Sequence, residues 1–280
     1  MVEITAALVK ELREETNVGM MECKKALVEA GGNKLEAVRI LRERGLAIAG
    51  KKASRTAKEG QIAADIRQGG KLGAMVEVNC ETDFVARNAS FQAFLRSVAE
   101  KAATVQGDLA EAMKDAATAK ITELGENLVI RRSVRFEVRQ PGIVASYIHL
   151  GGKVGVLVEV GCGLEATEKQ ESFREMVKDI TLHIAACQPQ YLTRQDVPAE
   201  VLKAESDIYA KQVENKPPQI VQKIVTGKLE KFLGQVCLVE QAFVKDPDLS
   251  ITELLASKGK ELGDTLQIRR FARYQVGEQV

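Results

Sequence analysis

GQIAADIRQGGKLGAMVEVNC (Gly60–Cys80) returns 82 residues later as GIVASYIHLGGKVGVLVEVGC (Gly142–Cys162), with eleven of the 21 positions identical. Each copy reads as strand, Gly-Gly turn, strand, which is a β-hairpin. The offset persists into a helical pattern, where Ser90-Phe91 matches Ser172-Phe173. Downstream, KITELGENLVIRRSVRFEV (Lys120–Val138) matches KGKELGDTLQIRRFARYQV (Lys258–Val276) at ten of 19 positions, now 138 residues apart. The fold class is therefore α+β, built from a duplicated unit. The second copy carries the difference between the two offsets, 56 residues, as an insertion between about Ala185 and Lys258.

The insertion reads as a helical arm. Val201, Ile208 and Val213 fall among charges, Pro217-Pro218 interrupts, and Ile220, Ile224 and Leu229 resume helical spacing. Proline cannot continue a helix, so two amphipathic helices joined there form an antiparallel hairpin. Upstream of the duplication, Ile4, Leu8 and Leu12 share a helical face, with Thr5 as a candidate cap. A second helix stops at Gly31-Gly32, and a third, capped by Asn33, carries Leu35, Val38 and Leu41 and is expected to end near Gly45. The expected division is a three-helix N-terminal module over 1–50, a linker over 51–59, a first core unit over 60–140, a second over 141–187 and 234–280, and a helical hairpin (coiled-coil) arm over 188–233.

Forty basic residues face 39 acidic ones, for a net charge of +1. That balance gives no long-range attraction to nucleic acid or anionic lipid. The chain has no Trp and 4% aromatic residues, so base-stacking platforms are not expected. No apolar run approaches the roughly 18 residues of a membrane span. The N-terminal stretch is charged and amphipathic, unlike a secretory signal. Cys23, Cys80, Cys162, Cys187 and Cys237 are odd in number and widely spaced, as expected of reduced cytosolic thiols. His149 and His183 lack ligand partners at metal spacing, and His183 reads as structural. Neither a metal nor a cofactor is expected.

Enzyme signatures are sparse. GLAIAGKK (Gly45–Lys52) nearly fits a phosphate-binding loop, but Lys52 stands where the Mg²⁺-holding Ser or Thr belongs, and no strand precedes it. The alternative is a helix C-terminus with basic residues complementing its dipole. No nucleophile elbow or zinc-protease motif is present. The informative asymmetry follows the two matched cysteines. Copy one continues Glu81-Thr82-Asp83-Phe84-Val85-Ala86-Arg87-Asn88, and copy two continues Gly163-Leu164-Glu165-Ala166-Thr167. The scaffold repeats while this turn diverges. Taken structurally, Thr82 or Asp83 caps the next helix and Phe84 or Val85 enters the core.

EVNCETDFVARN (Glu77–Asn88) resembles the central signature of the elongation factor Ts family, and LREETNVGMMECKKAL (Leu12–Leu27) resembles its N-terminal signature. The resemblance covers nearly the whole chain. It implies a ubiquitin-associated-like N-terminal module, a two-part core and a projecting helical hairpin. It also implies a non-enzymatic, cytoplasmic exchange factor that releases GDP from elongation factor Tu. Thr82, Asp83, Phe84 and Val85 would push into the GTPase domain and disturb its Mg²⁺ site. His149, matched by Arg67 in copy one, would lie near the phosphate loop. Leu12, Met20, Met21 and Lys24 would dock on a helix of the same domain. For these positions the structural alternatives are Leu12 and one Met in the module's core, and His149 bonded to backbone at a hairpin edge. Many family members continue past the last strand into a further helix. The chain closes at Gly277-Glu278-Gln279-Val280, so the resemblance implies that any contact carried by that helix is missing. The arm or exposed strand edges could build a homodimer or simply protrude. Two other classes stay open. One is an RNA-binding adaptor using Lys51, Lys52, Arg55, Lys58 and the Ile130-Arg131-Arg132 strand. The other is an enzyme with an unrecognised pocket.

Overall fold

A computed structural model describes residues 4–16, 18–213, 215 and 217–279. Helices α1 (Ala6–Thr16), α2 (Met20–Glu29) and α3 (Lys34–Lys52) open the chain. They bury Leu12, Cys23, Ala26, Leu27 and Ala37 completely, with Val9, Ile40 and Leu41 beside them. Thr5 Oγ1 accepts from the Leu8 amide, and Asn33 Oδ1 accepts from the Glu36 amide at 3.2 Å, so both candidate caps function.

Two expectations need correction here. Helix α3 passes through Gly45 to Lys52, because Gly45 is buried where α3 crosses a later helix. A Cβ there would sit 3.1 Å from Thr122 Oγ1. Leu35 points to solvent, and the buried face is Ala37, Ile40 and Leu41 instead. The phosphate-loop-like stretch Gly45–Lys52 is thus helical throughout and forms no cradle.

Copy one comprises β1 (Glu59–Arg67), β2 (Leu72–Cys80), α4 (Asp83–Ala86), α5 (Ala89–Thr104), α6 (Leu109–Ala112), α7 (Lys114–Leu124) and β3 (Val129–Glu137). Its antiparallel sheet runs β1-β2-β3. Copy two comprises β4 (Gly142–His149), β5 (Val154–Gly161), α8 (Glu171–Cys187), α9 (Ala199–Lys211), α10 (Pro218–Val236), β6 (Ala242–Phe243), β7 (Asp246–Ser250), α11 (Ile251–Leu262) and β8 (Gln267–Gln275). Its sheet runs β4-β5-β8. Every residue of β2 and β5 is buried. A central strand covered on both faces has no solvent side, so its sequence is a continuous apolar run rather than an alternation.

One glutamate interrupts each run. Glu77 meets Arg131 at 3.1 Å and Arg132 at 2.7 Å, and Glu159 meets Arg269 at 3.0 Å and Arg270 at 2.7 Å. The cause is a β-bulge beside each glutamate, at Glu77/Val78 and Glu159/Val160. A bulge sets two residues of one strand against one of its neighbour, so both arginines of an Ile-Arg-Arg triplet reach the same carboxylate. Arg131 and Arg132 are therefore committed to an internal ion cluster, and the strand contacts needed by an RNA-binding reading are engaged inside the fold.

The sheets pack face to face around Ile62, Met75, Phe136, Val144 and Leu157. Their contact is nearly twofold symmetric. Lys71 reaches Gly142 O at 3.1 Å and Glu168 at 2.5 Å, while Lys153 reaches Gly60 O at 3.3 Å and Glu59 at 2.5 Å. Arg132 lies 4.0 Å over the Tyr274 ring, and Arg270 lies 4.3 Å over Phe136. The duplicated unit thus pairs with itself as the subunits of an isologous dimer do.

The inserted hairpin is α9 and α10, with Pro217 capping and Pro218 at the first helical position. Its base packs Val197, Leu233, Val236 and Cys237.

Candidate functional site

Strand β2 ends at Cys80, and the chain turns at once into the single helical turn of α4. Thr82 is its cap, its Oγ1 accepting from the Val85 amide at 3.3 Å. Helical phase then separates the next two side chains. Val85 packs against the copy-one core. Phe84, 82% exposed, points away from the protein. Asp83 pairs with Arg87 at 3.1 Å on the surface. Of the two structural alternatives, the core position belongs to Val85, and the ring is outside.

The turn is held from behind. One oxygen of Glu126 accepts from the Glu81 and Thr82 amides, both at 3.0 Å, and the other accepts from Thr82 Oγ1 at 2.6 Å. Glu81 returns the contact by accepting from the Asn127 amide at 2.7 Å. Cys80 Sγ donates to Thr82 O at 3.1 Å, and burial pushes its thiol up to about 12. The cysteine is thus a buried donor that fixes the turn and has little thiolate character. Copy two repeats this clamp: Asp264 accepts from the Gly163 and Leu164 amides at 2.9 and 3.0 Å, and Cys162 donates to Leu164 O at 3.3 Å. Both copies share the support, and only copy one carries an aromatic tip.

His149 closes β4 at the neighbouring hairpin, followed by Leu150 in the left-handed region at φ 50°. The ion pair Lys153–Glu59 and the contact of Gly152 with Gln61 bring that hairpin against the start of β1. Glu59 pairs with Cys80 in the sheet register. The Phe84 turn and the His149 hairpin therefore occupy the same end of the molecule. His149 is exposed and bonds the Tyr147 hydroxyl at 2.8 Å, a side-chain partner in place of the expected backbone one. Leu150 is exposed beside it.

In the N-terminal module, Met20 and Met21 are 51% and 65% exposed, and Lys24 is exposed between them and Val28. Met21, Lys24, Lys25, Val28, Glu29 and Arg44 line a shallow groove. Leu12 does not belong to this surface. It has no exposed area, because α1 packs it into the helical core, so its expected docking role is withdrawn. The structural alternative also placed one Met in that core, but Met20 and Met21 are both outside it.

Sequence reasoning missed Glu126, Tyr147 and Leu150. Glu126 carried a signal, since Asp264 retains the acid at the 138-residue offset. Tyr147 carried one too, as the same-face neighbour of His149 on an alternating strand.

Among the described residues, no helix is long and apolar enough to cross a membrane, and no cluster of His, Cys, Asp or Glu has metal-binding geometry.

Residues 81–278 match the protein family described as Elongation factor TS. Over 98% of its length the chain is 43% identical to Elongation factor Ts of Trichlorobacter lovleyi, covering 93% of that protein. It is 46% identical to Elongation factor Ts of Clostridium perfringens strain 13, with the same two coverages. With Elongation factor Ts of Syntrophotalea carbinolica the identity is 45%, over 99% of this chain and 94% of the relative.

Proposed function

Since the chain belongs to the elongation factor Ts family, we propose that it binds the GDP form of elongation factor Tu in the cytoplasm, disturbs the Mg²⁺ site of the GTPase domain, and so promotes release of GDP. The observation that carries this reading is the Phe84 ring, 82% exposed on a turn clamped by Glu126. A large apolar side chain held out by a rigid support is prepared for burial in another protein.

Mg²⁺ requires near-ideal octahedral oxygen coordination and bridges the nucleotide phosphates to the protein. Displacing one ligand-bearing segment by about an ångström weakens that bridge, because coordination at about 2.0–2.1 Å leaves little slack. Linkage then makes the effect reciprocal: a factor that weakens GDP is itself weakened by GDP, and rebinding of GTP expels it. A thousandfold weakening requires about 4 kcal/mol of coupling. Burial of one Phe contributes about 1.5–3 kcal/mol. Phe84 therefore acts with Thr82, Asp83 and Val85, and with docking by Met20, Met21, Lys24 and His149.

The test is stopped-flow release of labelled GDP from elongation factor Tu across a series of Mg²⁺ concentrations. Phe84→Ala is expected to lose most of the acceleration while melting as the unaltered chain does, since the ring touches no core. Wild-type acceleration by Phe84→Ala would overturn the wedge assignment.

A further inference from the structure

Tyr147 and His149 lie two residues apart on β4, on one face of the strand. Their rings stack with centroids 5.6 Å apart, and Tyr147 Oη is 2.8 Å from His149 Nδ1. The Tyr147 ring is partly buried against the copy-two core, so it links the packed interior to the hairpin tip. The duplication supplies an internal comparison. At the matched positions copy one carries Asp65 and Arg67, joined by an ion pair of 2.5 Å. Arg67 also bends back to Glu100 O at 3.2 Å, onto its own helix. In both copies, then, the residue two before the turn fixes the side chain at the tip. In copy one that side chain is folded down, and in copy two it is left facing outward.

We propose that Tyr147 is a positioning residue that sets the tautomer and orientation of His149, so that the hairpin offers its partner a single hydrogen-bond donor, Nε2–H, for an acceptor oxygen. The chemistry fixes the direction. A phenol oxygen delocalises a lone pair into its ring and is a better donor than acceptor, whereas an unprotonated imidazole nitrogen accepts well. With Oη–H donating to Nδ1, the ring proton resides on Nε2. The acceptor can be a backbone carbonyl of the partner or a phosphate oxygen of its nucleotide. The inference about the partner rests on the exchange-factor reading, whereas the inference about the ring does not.

The chain contains two histidines, so long-range ¹H–¹⁵N spectra of the full-length protein resolve both rings, and His149→Ala assigns them. The expected result is that the neutral His149 ring carries its proton mainly at Nε2, with Nδ1 shifted as a hydrogen-bond acceptor. Tyr147→Phe keeps the stacked ring and is expected to abolish that Nδ1 shift. It should also reduce accelerated GDP release about three- to tenfold, the range for one modest hydrogen bond, and add nothing in the His149→Ala background. An effect on affinity for the GDP-bound partner that vanishes for the nucleotide-free partner assigns the acceptor to phosphate, and one that persists assigns it to backbone. A His149 ring protonated mainly at Nδ1, an unchanged spectrum in Tyr147→Phe, or additive effects of the two substitutions would each overturn the proposal. If the spectrum changes but both variants accelerate release normally, the ring geometry stands and the docking reading of His149 fails.

Discussion

Glu126 is the residue on which the tip depends without being part of it. Its carboxylate takes three hydrogen bonds from Glu81 and Thr82. Removing an acceptor leaves two backbone donors to find water, at about 1–3 kcal/mol per unsatisfied group if they stay dry. Because the turn is at the surface, water meets most of that loss, and the expected consequence is mobility more than unfolding. Glu126→Ala should therefore lower the melting temperature by only a few degrees, speed amide exchange at Glu81 and Thr82, and slow accelerated GDP release although Phe84 is still present. Quantitative amide exchange alongside the release assay checks this. A loose turn that accelerates release as well as the clamped one would mean that rigidity contributes nothing. The same turn shows how far a single sequence can be read, since the acid kept at the 138-residue offset marks Glu126 but not the turn it holds. Glu126 is 44 residues from Thr82, and the phase that sends Phe84 out and Val85 in is set by one helical turn. A four-residue helix is too short to show a period, so the sequence leaves Phe84 and Val85 equally eligible for the core and only the fold separates them.

At the scale of elements, the readable features were those with long periods. The hairpins and the duplicated central strands have sequence signals spread over ten or more residues, and the Pro-Pro break of the arm is read from backbone chemistry that no context reverses. The two expectations that failed, a helix end near Gly45 and Leu35 on the buried face, depend on which helix lies opposite, which is a tertiary fact. Leu12 failed for the same reason, since a helix face is apolar whether it serves a core or a partner. Its burial gives a prediction: Leu12→Ala should cost about 2–5 kcal/mol, a large share for the small cluster of α1–α3. Hydrogen exchange should show those helices losing protection while β2 and β5 keep theirs. The arm base gives another prediction. His183 is fully buried, with Nδ1 accepting from the Val244 amide at 3.2 Å and Nε2 bonding Gln241 at 2.9 Å. Gln241 in turn donates to Cys187 O and Gln235 O, tying α8 to the end of α10. Burial lowers the His183 pKa below its ordinary value of 6.5. The unfolded chain then binds a proton that the folded chain resists, so stability is full above about pH 6.5 and falls as pH drops towards the depressed folded value. Protonation would also place a second donor against the Val244 amide. Melting temperatures measured from pH 7.5 down to 5 should fall in the wild type and depend less on pH in His183→Asn, which melts lower throughout.

The whole molecule is best understood as two copies of one unit locked into a single body, with the exposed tips of different copies brought to one end. Phe84 belongs to copy one and His149 to copy two, and what sets their relation is the contact between the two sheets. Gly155 and Gly73 sit at that contact. A Cβ on Gly155 would lie 2.4 Å from Ile62 Cγ2 and 2.9 Å from Met75 Sδ, and one on Gly73 would lie 2.5 Å from Val144 Cγ1. These glycines are required by close approach of the sheets, since neither has the positive φ that would demand glycine on backbone grounds alone. The sequence displayed both within the repeated hairpin, yet the partner surface across the interface cannot be read from either copy alone. Gly155→Ala should therefore overpack the junction, at about 1–3 kcal/mol, and separate or tilt the sheets. Because Ile62 is on β1 and Gly155 on β5, the shift acts between the copies and leaves each hairpin intact. Accelerated GDP release should fall more than Phe84→Ala alone would explain, since ring and imidazole would no longer reach their positions together. A combined Gly155→Ala, Ile62→Leu chain, which removes the β-branch methyl Cγ2 that is in the way while keeping the side-chain volume, should recover both melting temperature and release. Recovery of stability without recovery of release would show that the two tips act independently and that their shared placement is incidental to the activity.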